Sequence, residues 1–77
     1  MKTIYADKYR QIGLKIAYYR KLRGMTQEQL AEKLELSPAF IGHVEAPNVN
    51  KAVSLDTLFD VAAALEVPPY KFLQFDE

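Results

Sequence analysis

Lys2, Lys8, Arg10, Lys15, Arg20, Lys21 and Arg23 stand in the first 25 residues against one acid, Asp7. Lysine and arginine at that density are the side chains that neutralise phosphates. The region after residue 52 has the opposite sign, with Asp56, Asp60, Glu66, Asp76 and Glu77 against Lys71. The formal net charge is zero, which alone speaks against a polyanionic partner, but a charge-segregated domain presents a basic side to one and an acidic side away from it. Other chemistries lack their residues. The chain has one histidine, His43, and no cysteine, so disulfides, thiolate nucleophiles and zinc-finger ligation are excluded, no metal site is expected, and no cofactor is implied. No nucleophile and base pair, no paired carboxylates and no phosphate-cradling glycine loop can be assembled, since Gly13, Gly24 and Gly42 are far apart and each has an explanation within its own helix. An enzyme is therefore not expected.

The elements that position these residues read as helix throughout, with no strand, repeat or low-complexity run. Ile12, Ile16 and Tyr19 share a stripe that ends in a basic turn and Gly24, giving a first helix over about residues 7–23. Thr26 with Gln29 three residues on is a capping box, and Leu30, Ala31 and Leu34 form the inner face of a second helix over about 27–34. Ser37 as N-cap and Pro38 at the first helical position start a third, over about 38–45. Ser54 caps a fourth over about 55–66, whose stripe is Leu55, Leu58, Phe59, Ala62 and Leu65. Pro68-Pro69 introduces an apolar fifth, over about 69–75. With 77 residues and about half of them apolar, the chain reads as one small all-α domain spanning 1–77. It shows neither a membrane-length apolar run nor a secretory leader, so a cytoplasmic location is expected.

Two short helices joined by about three residues outline a helix-turn-helix, whose second member can enter a major groove. The details extend that outline from Ile12 to Leu73. Gln27 opens the second helix, Leu30-Ala31 places a small residue at a helix crossing, Leu34 and Leu36 bracket the turn, and Ile41 and Val44 face inward. Glu45 closes the third helix, Arg20 lies in the first, and "SLDTLFDVAAALEV" forms the fourth. In these residues the chain resembles the Cro and lambdoid phage repressor family, also called the xenobiotic-response-element family. The resemblance implies a compact five-helix lambda-repressor-like fold and a transcriptional regulator that binds double-stranded DNA as a homodimer on a near-palindromic operator, most simply as a repressor.

It also implies roles. Gln27 would bond a phosphate and steady the recognition helix. Arg20 and Glu45 would form a partly buried ion pair between the first and third helices. Asn48, Asn50 and Lys51 would lie against backbone phosphates, although "APNVNKAV" suits a solvated turn nearly as well. Two positions depart from the family pattern: Glu35 stands where glycine is frequent, and "AP" follows Glu45 where a basic residue and glycine are common. A positive φ at Glu35 would store on the order of 1 kcal/mol.

At 100° per residue the outward face of the third helix carries Ala39, Gly42, His43 and Ala46, with Ser37 and Pro38 at its start and Phe40 on its edge. Only His43 there can hydrogen bond to a base edge; Phe40 suits the core or its rim as well as a base contact. Tyr70, Phe72, Leu73 and Phe75 are apolar on more than one face, which leaves one side for the second copy of a dimer or simply caps the core. A second function class stays open. A face of alanine and glycine at helical spacing also suits close packing against another helix, as in a protein-interaction module such as an antitoxin that binds a partner protein.

Overall fold

Four α-helices and one 3-10 turn follow one another in the computed structural model, which describes residues 4–49 and 51–75. They are α1 (Ala6–Leu22), α2 (Gln27–Leu34), α3 (Pro38–Glu45), α4 (Leu55–Leu65) and the turn Pro69–Phe72. The expected fifth α-helix over 69–75 is thus corrected to four residues of 3-10 geometry. Consecutive prolines at 68 and 69 remove two backbone donors, and the chain leaves helical geometry again at Leu73. Among the described residues there is no strand, and no helix is long and apolar enough to cross a membrane.

Local chemistry sets the helix starts. Thr26 accepts from the Gln29 amide while the Gln29 side chain accepts from the Thr26 amide, closing the capping box. Ser37 and Ser54 accept from the amides of Phe40 and Thr57. Each cap satisfies donors that the first helical turn leaves without a partner.

Three helix ends share one device. After α1, α2 and α4 the chain turns through a left-handed residue, Gly24 at φ 71°, Glu35 at φ 57° and Glu66 at φ 57°. The next amide then reaches back into the helix: Met25 to the Arg20 carbonyl, Leu36 to Ala31 and Val67 to Ala62. This is the Schellman closure, which drives an apolar residue back onto the core. Met25, Leu36 and Val67 all pack there. A fold that tolerates glutamate twice in a conformation costing L-residues roughly 1 kcal/mol does so because the apolar residue that follows packs on the core, Val67 buried and Leu36 partly so.

The core brings Ile12 and Ile16 of α1, Leu30 and Ala31 of α2, Ile41 and Val44 of α3, and Leu58, Val61, Ala62 and Leu65 of α4 around Phe72. In α4 the buried stripe is rolled from the expected one. Val61 is inside, while Leu55 and Phe59 are exposed, because a stripe leaves open which of its flanks meets the neighbouring helices, and here that flank carries Val61. Gly13 is set by tertiary packing, not by its own helix. A Cβ built on it would lie 1.9 Å from the Val44 carbonyl oxygen, so α1 and α3 cross backbone to backbone where only glycine fits.

Gly13→Ala should lower stability by about 2 kcal/mol or more in denaturant unfolding, although alanine in a helix interior ordinarily gains about 1 kcal/mol over glycine. A gain would mean that the helices do not cross so closely. Glu35→Gly and Glu66→Gly should each leave stability unchanged or raise it; a clear loss at Glu35 would place that residue in a right-handed helix.

Candidate nucleic-acid interface

The α2–α3 pair is held from behind by an ionic junction. Arg20 donates from Nε to Glu45 Oε2 at 2.7 Å and from Nη2 to Oε1 at 2.8 Å, and both residues are only 7% exposed. Arg20 Nη1 also donates to the Met25 carbonyl at 2.7 Å, and Gln27 Nε2 donates to Glu45 Oε1 at 3.0 Å. Four segments meet there: the last turn of α1, the turn after it, the start of α2 and the end of α3. The Glu45 carboxylate raises the Arg20 pKa further above its ordinary value. No buried side-chain polar atom among the described residues lacks a partner, which is the condition under which a buried ion pair is tolerated.

On the far side, α3 turns Ile41 and Val44 into the core and leaves Ser37, Pro38, Ala39 and His43 exposed, with Gly42 and Ala46 half-buried. Gly42 faces the Gln27 amide, and a Cβ there would meet the Gln27 side-chain oxygen at 3.5 Å, an ordinary contact, so the packing does not require glycine. One Nε2 proton of that amide goes to Glu45, and the second remains for an acceptor outside the protein.

Phe40 is half-buried against the core, and the Lys51 ammonium lies 5.3 Å from its ring centroid. The cation–π contact ties the α3–α4 loop to α3, a coupling of about 0.5–1 kcal/mol at an exposed site. Asn48 is exposed on that loop; Asn50 lies outside the described residues.

Residues 16–72 match the helix-turn-helix family model. The chain belongs to the helix-turn-helix family. It is 43% identical over 56 residues to an immunity repressor protein of Bacillus phage phi105, an alignment that takes in 73% of this chain and 38% of that protein. The chain therefore spans well under half the length of this relative. Among solved structures it is similar to SinR, a master regulator for biofilm formation, in complex with DNA, with a TM-score of 0.74 at 32% identity over 82% of this chain and 98% of that one. It is also similar to the hypothetical transcription factor NHTF from Neisseria, with a TM-score of 0.78 at 27% identity over 87% and 73% of the two chains.

Within this helix-turn-helix protein the N-terminal basic group is not one face. Arg20 is held by Glu45, and Arg10 bridges to Asp7. Arg23 donates from Nε to the Leu65 carbonyl at 2.7 Å and from Nη2 to the Glu66 carbonyl at 3.2 Å, which closes the C-terminus of α4. Lys8 and Lys15 lie 4.9 and 5.2 Å from the Phe75 ring centroid. Sequence reasoning missed the Arg23 cap because its acceptors are backbone carbonyls more than forty residues away, and a carbonyl has no signature in a sequence.

The dimer residues also need correcting. Phe72 has no exposed surface and stacks edge-on against Tyr19 at 5.4 Å, since the 3-10 turn aims it between α1 and α4. It cannot face a partner. Phe75 is half-buried under the two lysines, which leaves Tyr70 and Leu73 outward at 59% and 40% exposure.

Glu45→Gln should cost about 3–5 kcal/mol, because it leaves the Arg20 guanidinium buried without a counter-charge. For a domain of this size that lowers the thermal midpoint by more than about 10 °C. A change of only a degree or two would show the pair to be solvated, and with it the seating of α3 would be in doubt.

Proposed function

We propose that the chain is a sequence-specific double-stranded DNA-binding regulator that acts as a homodimer on a near-palindromic operator and represses the adjoining promoter. The observation that carries this reading is the exposed Pro38, Ala39 and His43 face of a short helix whose other side is locked by the Arg20–Glu45–Gln27 junction. Likeness to an immunity repressor and to a regulator solved with DNA supports it.

Each residue then has a task. The free proton of Gln27 Nε2, with Asn48 and Lys51 on the loop, contacts phosphates and sets the register of α3. Ala39, edged by Pro38 and Phe40, meets the methyl of a thymine. His43 gives one hydrogen bond to a purine N7 or O6. Without an arginine or glutamine on the face, bidentate readout is absent, so DNA deformability supplies much of the discrimination. Tyr70 and Leu73 join two copies, which sets half-sites about one helical turn apart.

Mobility shifts with random and then selected duplexes test the reading. Replacing operator thymines one at a time by deoxyuridine should weaken binding about fourfold at one position per half-site, the value of one buried methyl group, and Ala39→Gly should abolish that sensitivity. Indifference at every thymine, with a large loss from His43→Ala alone, would assign the readout to hydrogen bonding instead. Lys51→Ala should reduce the dependence of log affinity on log salt by about one unit. No shift with any duplex at low salt would turn the α3 face into a protein-docking surface.

A further inference from the structure

Two exposed surfaces of opposite charge take no part in the reading face or in the Tyr70 and Leu73 face. The first is on α1, where Leu14, Tyr18 and Leu22 recur every four residues and form an apolar stripe open to solvent, with Tyr18 at 60% exposure. At 100° per residue, Lys15 and Lys21 bracket this stripe on either side. The second lies between the end of α2 and the outer face of α4. It is a shallow groove of about 430 Å³ lined by Lys33, Leu34, Glu35, Asp60, Ala63 and Ala64. Exposed Phe59 extends its apolar surface along α4, and Asp56 lies one turn before Asp60.

Among the described residues, Lys15, Lys21, Asp56 and Asp60 have no ion-pair partner, and Lys15 has only its contact with the Phe75 ring. One surface is a ridge with cations at its flanks; the other is a groove where the carboxylates of Glu35, Asp60 and neighbouring Asp56 outnumber the one cation of its lining, Lys33. A small monomer rarely leaves so many large apolar side chains in one row without a partner for them.

We propose that the α1 ridge of one copy docks into the α2–α4 groove of a second copy, with Tyr18 and Leu22 over Leu34, Ala63 and Phe59, and Lys15 and Lys21 facing Asp60 and Asp56. The contact joins two different surfaces, so it is heterologous and continues from copy to copy, as a ring or an open row according to the rotation between them. It links dimers side by side, as they would stand on neighbouring sites. Its charges lie at the rim, so they set partner choice and salt sensitivity while the apolar row supplies the attraction.

Sedimentation equilibrium of the full chain without DNA tests this contact apart from the function proposed above. Species larger than a dimer should grow with concentration and recede as salt is raised. Lys15→Glu with Lys21→Glu should weaken that association at least about tenfold, as should Asp56→Lys with Asp60→Lys, because each places like charges face to face. An equimolar mixture of the two variants should regain it, since each then offers the other a complementary surface. A mixture that stays as dissociated as its components, or a wild type with no species beyond the dimer at any attainable concentration, overturns the proposal. Because the chain contains no cysteine, oxidising a mixture of Tyr18→Cys and Ala63→Cys chains gives a second reading. The mixed cross-link should outweigh both self cross-links; a statistical mixture refutes the contact.

Discussion

A buried carboxylate with three donors holds the end of α3 in place. Glu45 receives two hydrogen bonds from the Arg20 guanidinium and a third from Gln27, and the remaining Arg20 donor group closes on the Met25 carbonyl. Taking two charges out of water carries a desolvation cost that mutual attraction offsets only when geometry is good and the remaining polar atoms are satisfied. Both conditions hold here. The consequence is rigidity in direction more than gain in stability, because a hydrophobic pair of the same volume would stabilise as well but would leave the end of α3 free to slide. A bidentate guanidinium fixes angle and distance together. Gln27 then couples the inner junction to the outer surface, since its amide is bonded at the back and still carries a donor for the front.

The second constraint is steric. Gly13 lets the backbone of α1 touch the carbonyl of Val44, and that approach brings Arg20, seven residues and about two turns further along α1, within reach of Glu45. The left-handed closures at Gly24, Glu35 and Glu66 do the corresponding work at the helix ends. Each reverses the chain within two residues and returns an apolar side chain to the core, so that short helices share one hydrophobic centre. Eight-residue helices such as α2 and α3 are unstable alone and owe their existence to this packing.

How far the sequence reveals this differs residue by residue. The caps at Thr26, Ser37 and Ser54 are legible because their partners are three residues away and the donor is always the backbone. The left-handed Glu35 is legible only because glycine is common at that point in the family; Glu66, in the same conformation, has no such marker. The inward turn of Ile41 and Val44 follows from period alone, whereas the roll of α4 that exposes Leu55 and Phe59 depends on which neighbours flank it. Phe72 misleads for a related reason. A short apolar segment after two prolines cannot announce whether it caps the core or faces outward, and a 3-10 turn changes the phase of every side chain relative to an α-helix. Arg23 and Gly13 were hidden because each answers to a backbone carbonyl on another helix.

The placement of charge bears most on function. Counted in the sequence, the first 25 residues look like a phosphate-binding face. In the fold, Arg10, Arg20 and Arg23 are each bonded to acceptors of the protein itself, and the ammonium groups of Lys8 and Lys15 lie over Phe75. Lys51 of the α3–α4 loop leans on Phe40 of α3. Phosphate neutralisation is the sequence-independent part of affinity for DNA, so the three arginines bonded within the protein add little to it. Its face of proline, alanine and a single histidine also offers few hydrogen bonds. What such a surface has in place of strong contacts is close approach: with no long side chain in the way, the backbone at the start of α3 can come near the floor of a groove, where shape and methyl groups are the features on offer. Under the function proposed above, contacts between neighbouring copies add to affinity, since linking two binding events raises effective concentration without any new contact to DNA.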